Sequence, residues 1–336
     1  IVGKEKEITL IQRLTYKEYE RAKTFNLPIK RIIALDDAEG EPLRVLGAED
    51  LVVGVGSSLV THDIILPEMS KLPNIGSLWG GSINYEKLLS LKPDLFMGSA
   101  AWPLEETEEK LESYGIQVFL DSCTTRAKDI IKVGYLVGKK DKAEEFYDFR
   151  EGFLNEIKAR TEGLSEDEKP RVYIEAMGRS YYTSCPAAWN KHDQMCTIAG
   201  GINIAHDLVG EKTFVNVDPE WVIAQNPDII VKEASGGGYG IDDTTEMKAI
   251  RDEIMNRPEL ANINAVKGGN VYVVAGDLAR SGQQGFMMAV YMAKWFHPDL
   301  FEDLDPKATH QEYIDRFLRI DYNLNEHGVF VYPEPS

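Results

Sequence analysis

Cysteine is scarce: Cys123, Cys185 and Cys196 are the only three in 336 residues. That is too few for the disulfide framework of a small secreted scaffold, though one bridge plus one free thiol stays open. Long apolar runs are also missing. A membrane helix needs ~18–20 consecutive apolar residues, whereas runs such as Ile64 to Leu66 and Ile229 to Val231 are strand-sized. Positive charge is in short supply, with 37 Lys and Arg against 55 Asp and Glu for a net charge of −18. A surface of that sign repels phosphate backbones and anionic lipid, so no nucleic-acid partner is expected, and membrane contact only through a permease or a removed lipid anchor. The chain opens at Ile1 with neither methionine nor a basic-then-apolar leader, so any targeting segment is expected to have been cut away.

Several catalytic signatures are absent as well. There is no Gly-x4-Gly-Lys-Ser/Thr phosphate cradle, no Gly-x-Ser-x-Gly nucleophile elbow and no His-Glu-x-x-His, which removes the usual support for an NTPase or hydrolase. Gly54-Val-Gly56-Ser-Ser-Leu59 begins like a dinucleotide fingerprint, but Leu59 stands where the third glycine would allow close helix packing. Asp36, Asp37 and Glu39 follow a predicted strand and read first as a solvated acidic turn, with acid–base or cation-binding roles second. No catalytic residue, cofactor or resident metal is assigned.

What is present is an ordinary globular composition, 43% apolar and 27% charged, in a chain long enough for two lobes. From Arg31 onward, short apolar runs alternate with helical patterns. Runs at Arg31–Leu35, Leu51–Val55, Asp94–Met97 and Gln117–Leu120 form one series, and Arg171–Glu175, Asp228–Val231 and Asn270–Val274 form a second. Runs of this kind predict buried, mostly parallel sheets and two α/β units. Between them, Thr125 to Thr161 reads as a helical connection. Phe146, Phe149, Phe153 and Ile157 share one helical face, Asp141 is the candidate N-cap, and Gly134 and Gly138 are possible breaks. The expected organisation is a first lobe over 1–124, a connecting helix over 125–161 and a second lobe over 162–336.

One segment occurs twice. Glu86-Lys-Leu-Leu-Ser-Leu-Lys-Pro93-Asp94-Leu-Phe-Met97 matches Glu220-Trp-Val-Ile-Ala-Gln-Asn-Pro227-Asp228-Ile-Ile-Val231, with Glu, Pro and Asp each offset by 134 positions. Each copy reads as a helix with an acidic first turn, stopped by Pro-Asp ahead of a strand. Taken with Val45-Leu-Gly-Ala-Glu-Asp50, Ala199-Gly-Gly-Ile-Asn203 and Asn270-Val-Tyr272 leading to a helix near His297-Pro298, the sequence resembles the substrate-binding proteins of ABC importers for metal chelates. That resemblance runs from about Arg31 to Leu300. It implies two Rossmann-like lobes joined by a rigid helix, with the ligand in the cleft between them, and one docking glutamate per lobe, Glu86 and Glu220, set against arginines of the permease. It also implies an extracytoplasmic binding protein, not an enzyme, that captures a ferric siderophore foremost, or cobalamin or haem; because the two lobes and long helix give no reason for an oligomer, a monomer is expected.

In such α/β units ligands lie beyond the carboxyl ends of the strands. The loops there carry Trp79, Trp102, Arg179, Tyr181, Tyr182, Trp189, Tyr239 and Arg280. The aromatic rings suit a large, partly apolar chelate, and the arginines suit an anionic one. Cys185, His192 and Cys196 leave three options: a disulfide pinning a long loop, two buried thiols, or a metal site of unfamiliar spacing. The rival from another class is a tetrapyrrole chelatase-like enzyme, for which His192, His62 and Glu39 are the available bases; a sensor or adhesin domain on the same fold is a third possibility.

Overall fold

The computed structural model describes residues 2–4, 6–14, 19–77, 82–100, 104–121, 129–176, 182–187, 191–208 and 214–335. By compactness the chain divides into one unit of residues 1–149 with 314–320, and a second of residues 150–313 with 321–336.

The first unit opens with three antiparallel strands, β1 (Val2–Lys4), β2 (Glu7–Leu14) and β3 (Tyr19–Asn26). Nothing in the sequence reading anticipated them. Their signal is the alternation of β2, which buries Ile8, Leu10, Gln12 and Leu14 while Glu7 and Ile11 face solvent. There follow β4 (Ile32–Ala34), α1 (Asp37–Val45), β5 (Val52–Val55), α2 (Tyr85–Ser90), β6 (Leu95–Ser99), α3 (Glu105–Ser113) and β7 (Gln117–Asp121). The four strands form a parallel sheet in the order β5-β4-β6-β7, as strand–helix crossovers require. Its two inner strands, β4 and β6, are buried along their whole length, and Ile33, Phe96, Val118 and Leu120 pack with Leu88 of α2 and Leu111 of α3. The antiparallel strands join this core through Leu14 and through an edge-on contact of Phe25 with Phe119.

The connecting stretch is two helices, α4 (Asp129–Leu136) and α5 (Lys140–Thr161). The break falls at Gly138, whose φ of +71° suits a residue without Cβ. Gly134 does not break α4; a Cβ there would lie 2.4 Å from that of Ala143, so it serves close packing against α5. Asp141, expected as the N-cap, lies inside the first turn. The phenylalanine face is as read: Phe146 and Phe149 pack on Phe317, and Phe153 on Phe286. The division between the units falls within α5, between Phe149 and Arg150.

The second unit continues with β8 (Arg171–Glu175), β9 (Thr183–Ser184), α6 (Lys191–Ile198), β10 (Ile202–Asn203), β11 (Val215–Asn216), α7 (Pro219–Gln225), β12 (Ile229–Ala234), α8 (Thr245–Met255), α9 (Asn264–Gly268) and β13 (Val271–Ala275). It ends with α10 (Gly276–Arg280), α11 (Met287–Phe296), α12 (Pro306–Tyr313) and β14 (Val331–Tyr332). The sheet order is β11-β9-β8-β12-β13-β14, with β10 also pairing β8. β10, β8, β12 and β13 run parallel, whereas β9, β11 and β14 are antiparallel additions at the margins. α11 is buried at every position but Lys294, whose ammonium donates to the carbonyl of Phe301 at 2.9 Å. All seven strands read from the sequence are present; the two-residue strands are too short to carry a periodic signal.

Candidate ligand loops and docking helices

Glu86 and Glu220 occupy the same place in two short helices. Each is the second helical residue, each is exposed, and each is followed two positions later by the buried residue that seats the helix, Leu88 in α2 and Val222 in α7. Asn84 caps α2 by accepting from the backbone N–H of Lys87 at 2.9 Å. α7 starts instead with Pro219, whose fixed φ suits the first helical position. In both copies the residue before the proline takes a positive φ, Lys92 at +47° one residue past the C-cap of α2 and Asn226 at +42° as the C-cap of α7, and turns the chain into Pro-Asp. The aspartates then anchor backbone: Asp94 accepts from Lys30 and Arg31 at 2.9 and 3.0 Å, and Asp228 from Arg171 at 3.0 Å. The echo is therefore a repeated structural device with a carboxylate at the exposed start of each copy.

In the first unit, the carboxyl end of β4 carries Asp36 and Glu39. They form a capping box, Asp36 accepting from Ala38 and Glu39 accepting from the backbone of Asp36 at 3.1 Å. Glu39 is buried, and burial together with neighbouring Asp36 raises its pKa well above the carboxylate range; Asp36 is raised too, chiefly by burial. Asp37 lies 3.2 Å from His62. Gly56 closes this loop where a Cβ would fall 1.8 Å from the carbonyl of Leu35. Trp79 and Trp102 lie outside the described residues, as do Arg179, Tyr181 and Trp189 of the second unit.

In the second unit, Arg280 ends α10 just past β13, and its Nε donates to buried Glu233 at the end of β12. The guanidinium remains half exposed. It folds back over Gly276, where a Cβ would lie 2.9 Å from Nη2. His192 sits 3.6 Å from the other side of Glu233, and burial lowers its pKa to about 3. Tyr182 and Tyr239, expected as aromatic walls, are 7% and 5% exposed, and each hydroxyl is engaged within its own unit. Tyr182 donates to Glu259 at 2.5 Å and Tyr239 to Gln284 at 2.8 Å. The backbone of Tyr239 is held by Asp277 and, through its carbonyl, by the hydroxyl of Tyr322. The Gly-rich loop at 236–240 is thereby pinned to α10 and to the C-terminal segment.

Cys185 and Cys196 are free thiols, both buried, which corrects the disulfide option. Burial raises the pKa of Cys196 far above the usual thiol value. Asn203 holds this segment instead, donating to the carbonyl of Cys185 at 2.7 Å and to Asp193 at 2.8 Å. Among the described residues no group of three or more His, Cys, Asp or Glu is placed to hold a metal ion, and no helix is long and apolar enough to cross a membrane. Two features escaped the sequence reading. Arg257 pairs with buried Glu175 through both Nη atoms, at 2.7 and 3.0 Å. A cavity of about 430 Å³ lined by Glu166, Lys169, Arg171, Thr197, Asn203 and His206 opens at the amino ends of β8 and β10, opposite the strand ends where such folds bind ligand.

Two α/β units, each with strand-end loops and a short helix that opens on an exposed glutamate, match the architecture of two-lobed solute-binding proteins. A family model described as "Periplasmic binding protein" matches residues 32–278, and the chain belongs to that family. It is 28% identical over 282 residues, 82% of each chain, to the uncharacterized ABC transporter substrate-binding lipoprotein YvrC of Bacillus subtilis. It is 26% identical to the vitamin B12-binding protein of Salmonella typhimurium, covering 62% of this chain and 73% of that one. Among solved structures, the TroA-like periplasmic binding protein FepB from Veillonella parvula shares the fold with a TM-score of 0.74 at 23% identity, over 96% of this chain and 99% of that one. The chelatase-like alternative finds no support among these matches.

Proposed function

We propose that this protein is an extracytoplasmic solute-binding protein that captures a metal chelate, a ferric siderophore foremost and cobalamin or haem next, and delivers it to an ABC importer. The observation that carries the reading is the duplicated helix with Glu86 and Glu220 at matching exposed positions. A carboxylate at an exposed helix start is free to accept paired hydrogen bonds from a permease guanidinium. The similarity to a substrate-binding lipoprotein and to a vitamin B12-binding protein supports the same role. Half-exposed Arg280, oriented by Glu233, favours an anionic chelate over a neutral one.

The test is uptake into proteoliposomes carrying the importer. Glu86→Gln combined with Glu220→Gln should leave ligand affinity unchanged and abolish uptake. Full uptake by the double variant would refute docking through these residues.

A further inference from the structure

We infer that Arg31 and Arg171 are positioning residues for importer docking: each clamps the far end of the helix that presents a docking glutamate. The inference rests on the docking role proposed above for Glu86 and Glu220. α2 and α7 have only six and seven residues, too few to be stable by themselves. Each has a single fully buried anchor, Leu88 or Val222, at its fourth position. An arginine from the start of the neighbouring strand holds the carboxyl end, alongside Leu91 packed on the core in the first unit.

In the first unit, Arg31 precedes β4. Its Nε donates to the carbonyls of Leu91 and Lys92, both at 3.1 Å, and Nη2 donates to Leu91 at 2.6 Å. In the second unit, Arg171 opens β8. Its Nε donates to the carbonyl of Gln225 at 3.1 Å and Nη2 to the Gln225 side chain at 2.5 Å. In both, the arginine backbone N–H donates to the Pro-Asp carboxylate that follows the helix. The guanidinium thus meets carbonyls that a helix end leaves unpaired, at the pole where positive charge is favoured. One residue joins strand, helix end and Pro-Asp turn, and the glutamate's direction is set from both ends of its helix.

The two arginines are 140 positions apart, whereas the helix–Pro-Asp segments are 134 apart. The arginine therefore lies outside the constant-offset repeat. The same clamp is made in both units although the arginine stands at a different distance from the helix in each. Arg31 is exposed and Arg171 half-buried, so either can be replaced without opening a core.

The experiment measures affinity of the ligand-free, full-length protein for its cognate importer in nanodiscs by biolayer interferometry, with thermal melting alongside. Arg31→Gln with Arg171→Gln should weaken importer binding about tenfold, equivalent to ~1.4 kcal/mol, while Arg31→Lys with Arg171→Lys recovers part of the loss. A residue that acts through a glutamate must be non-additive with it. Arg31→Gln should therefore cost nothing further once Glu86→Gln is present, and the same holds for Arg171→Gln with Glu220→Gln, while Arg31→Gln and Glu220→Gln add. Unchanged importer affinity in the double Gln variant, or full additivity within one helix, overturns the inference. Normal importer binding by Glu86→Gln with Glu220→Gln would instead show that the docking role itself is wrong, and the inference falls with it.

Discussion

Replacing Arg257 by Met removes the main partner of the most deeply buried carboxylate in the second unit. Glu175, the last residue of β8, is fully buried and accepts from Arg257 at 2.7 and 3.0 Å and from Lys232 at 2.9 Å. Burial alone would raise its pKa, but the hydrogen bonds and charges of Arg257 and Lys232 outweigh that and hold it below the usual carboxylate value. Arg257 also pairs with Glu253 and lies over the ring of Tyr182 at 4.9 Å. Removing one partner of a buried pair costs ~3–5 kcal/mol, and the surviving Lys232 contact puts this case near the lower end. At roughly 2–4 °C per kcal/mol for a unit of this size, the melting transition should fall by about 6–12 °C, read by circular dichroism at neutral pH. The sign of the pH dependence follows from the depressed pKa. Glu175 stabilises the fold above the unfolded carboxylate value, and that contribution is lost as pH falls through its lower folded value. The gap between wild type and variant should therefore narrow below about pH 4, where a protonated Glu175 no longer needs a cation. A fall of less than about 2 °C, or one that persists undiminished in acid, would refute the reasoning.

Glu39 carries the opposite sign. Its raised pKa means the folded state binds a proton more tightly, so its contribution is present below the unfolded carboxylate value and lost as pH rises through the folded one. Glu39→Gln should accordingly stabilise the first unit at neutral pH and lose that advantage near pH 4, in urea titrations at the two pH values. Gly201→Ala places a methyl 2.6 Å from the ring of Phe296 and 2.9 Å from Sγ of Cys196, and should cost ~1–3 kcal/mol by overpacking, measured by chemical denaturation. Cys185 and Cys196 should resist a thiol reagent in the native protein and react once it is unfolded. Peptide-level mass spectrometry reads this, and a native disulfide between them would contradict the structure.

The parallel strands were legible because each is a short, continuous apolar run between helical patterns, as Leu95–Ser99 and Val271–Ala275 illustrate. The repeated Glu and Pro-Asp segments were legible because their residues are consecutive in sequence. The arginines that complete them were not, since Arg31 reaches Leu91 and Arg171 reaches Gln225 only after folding. The N-terminal strands carried an alternating signal weakened by Gln12 on the buried face and Ile11 on the exposed one. Aromatic side chains on strand-end loops are ambiguous in another way. A tyrosine beside a binding cleft and one closing a core look alike in sequence, and Tyr182 and Tyr239 are buried with their hydroxyls on Glu259 and Gln284. Arg280 needed Glu233, 47 positions away, to become an oriented guanidinium.

The central claim, capture of a metal chelate, is tested most directly by scanning calorimetry of the purified protein with ferric hydroxamate, ferric catecholate, haem, cobalamin and the metal-free chelators. A ligand present at about 100 times its dissociation constant adds ~2.7 kcal/mol of stability. The account predicts a clear rise in melting temperature with one metal-loaded class and none with the corresponding metal-free chelator. A melt unmoved by every metal-loaded member, or raised equally by a chelator without its metal, would contradict it.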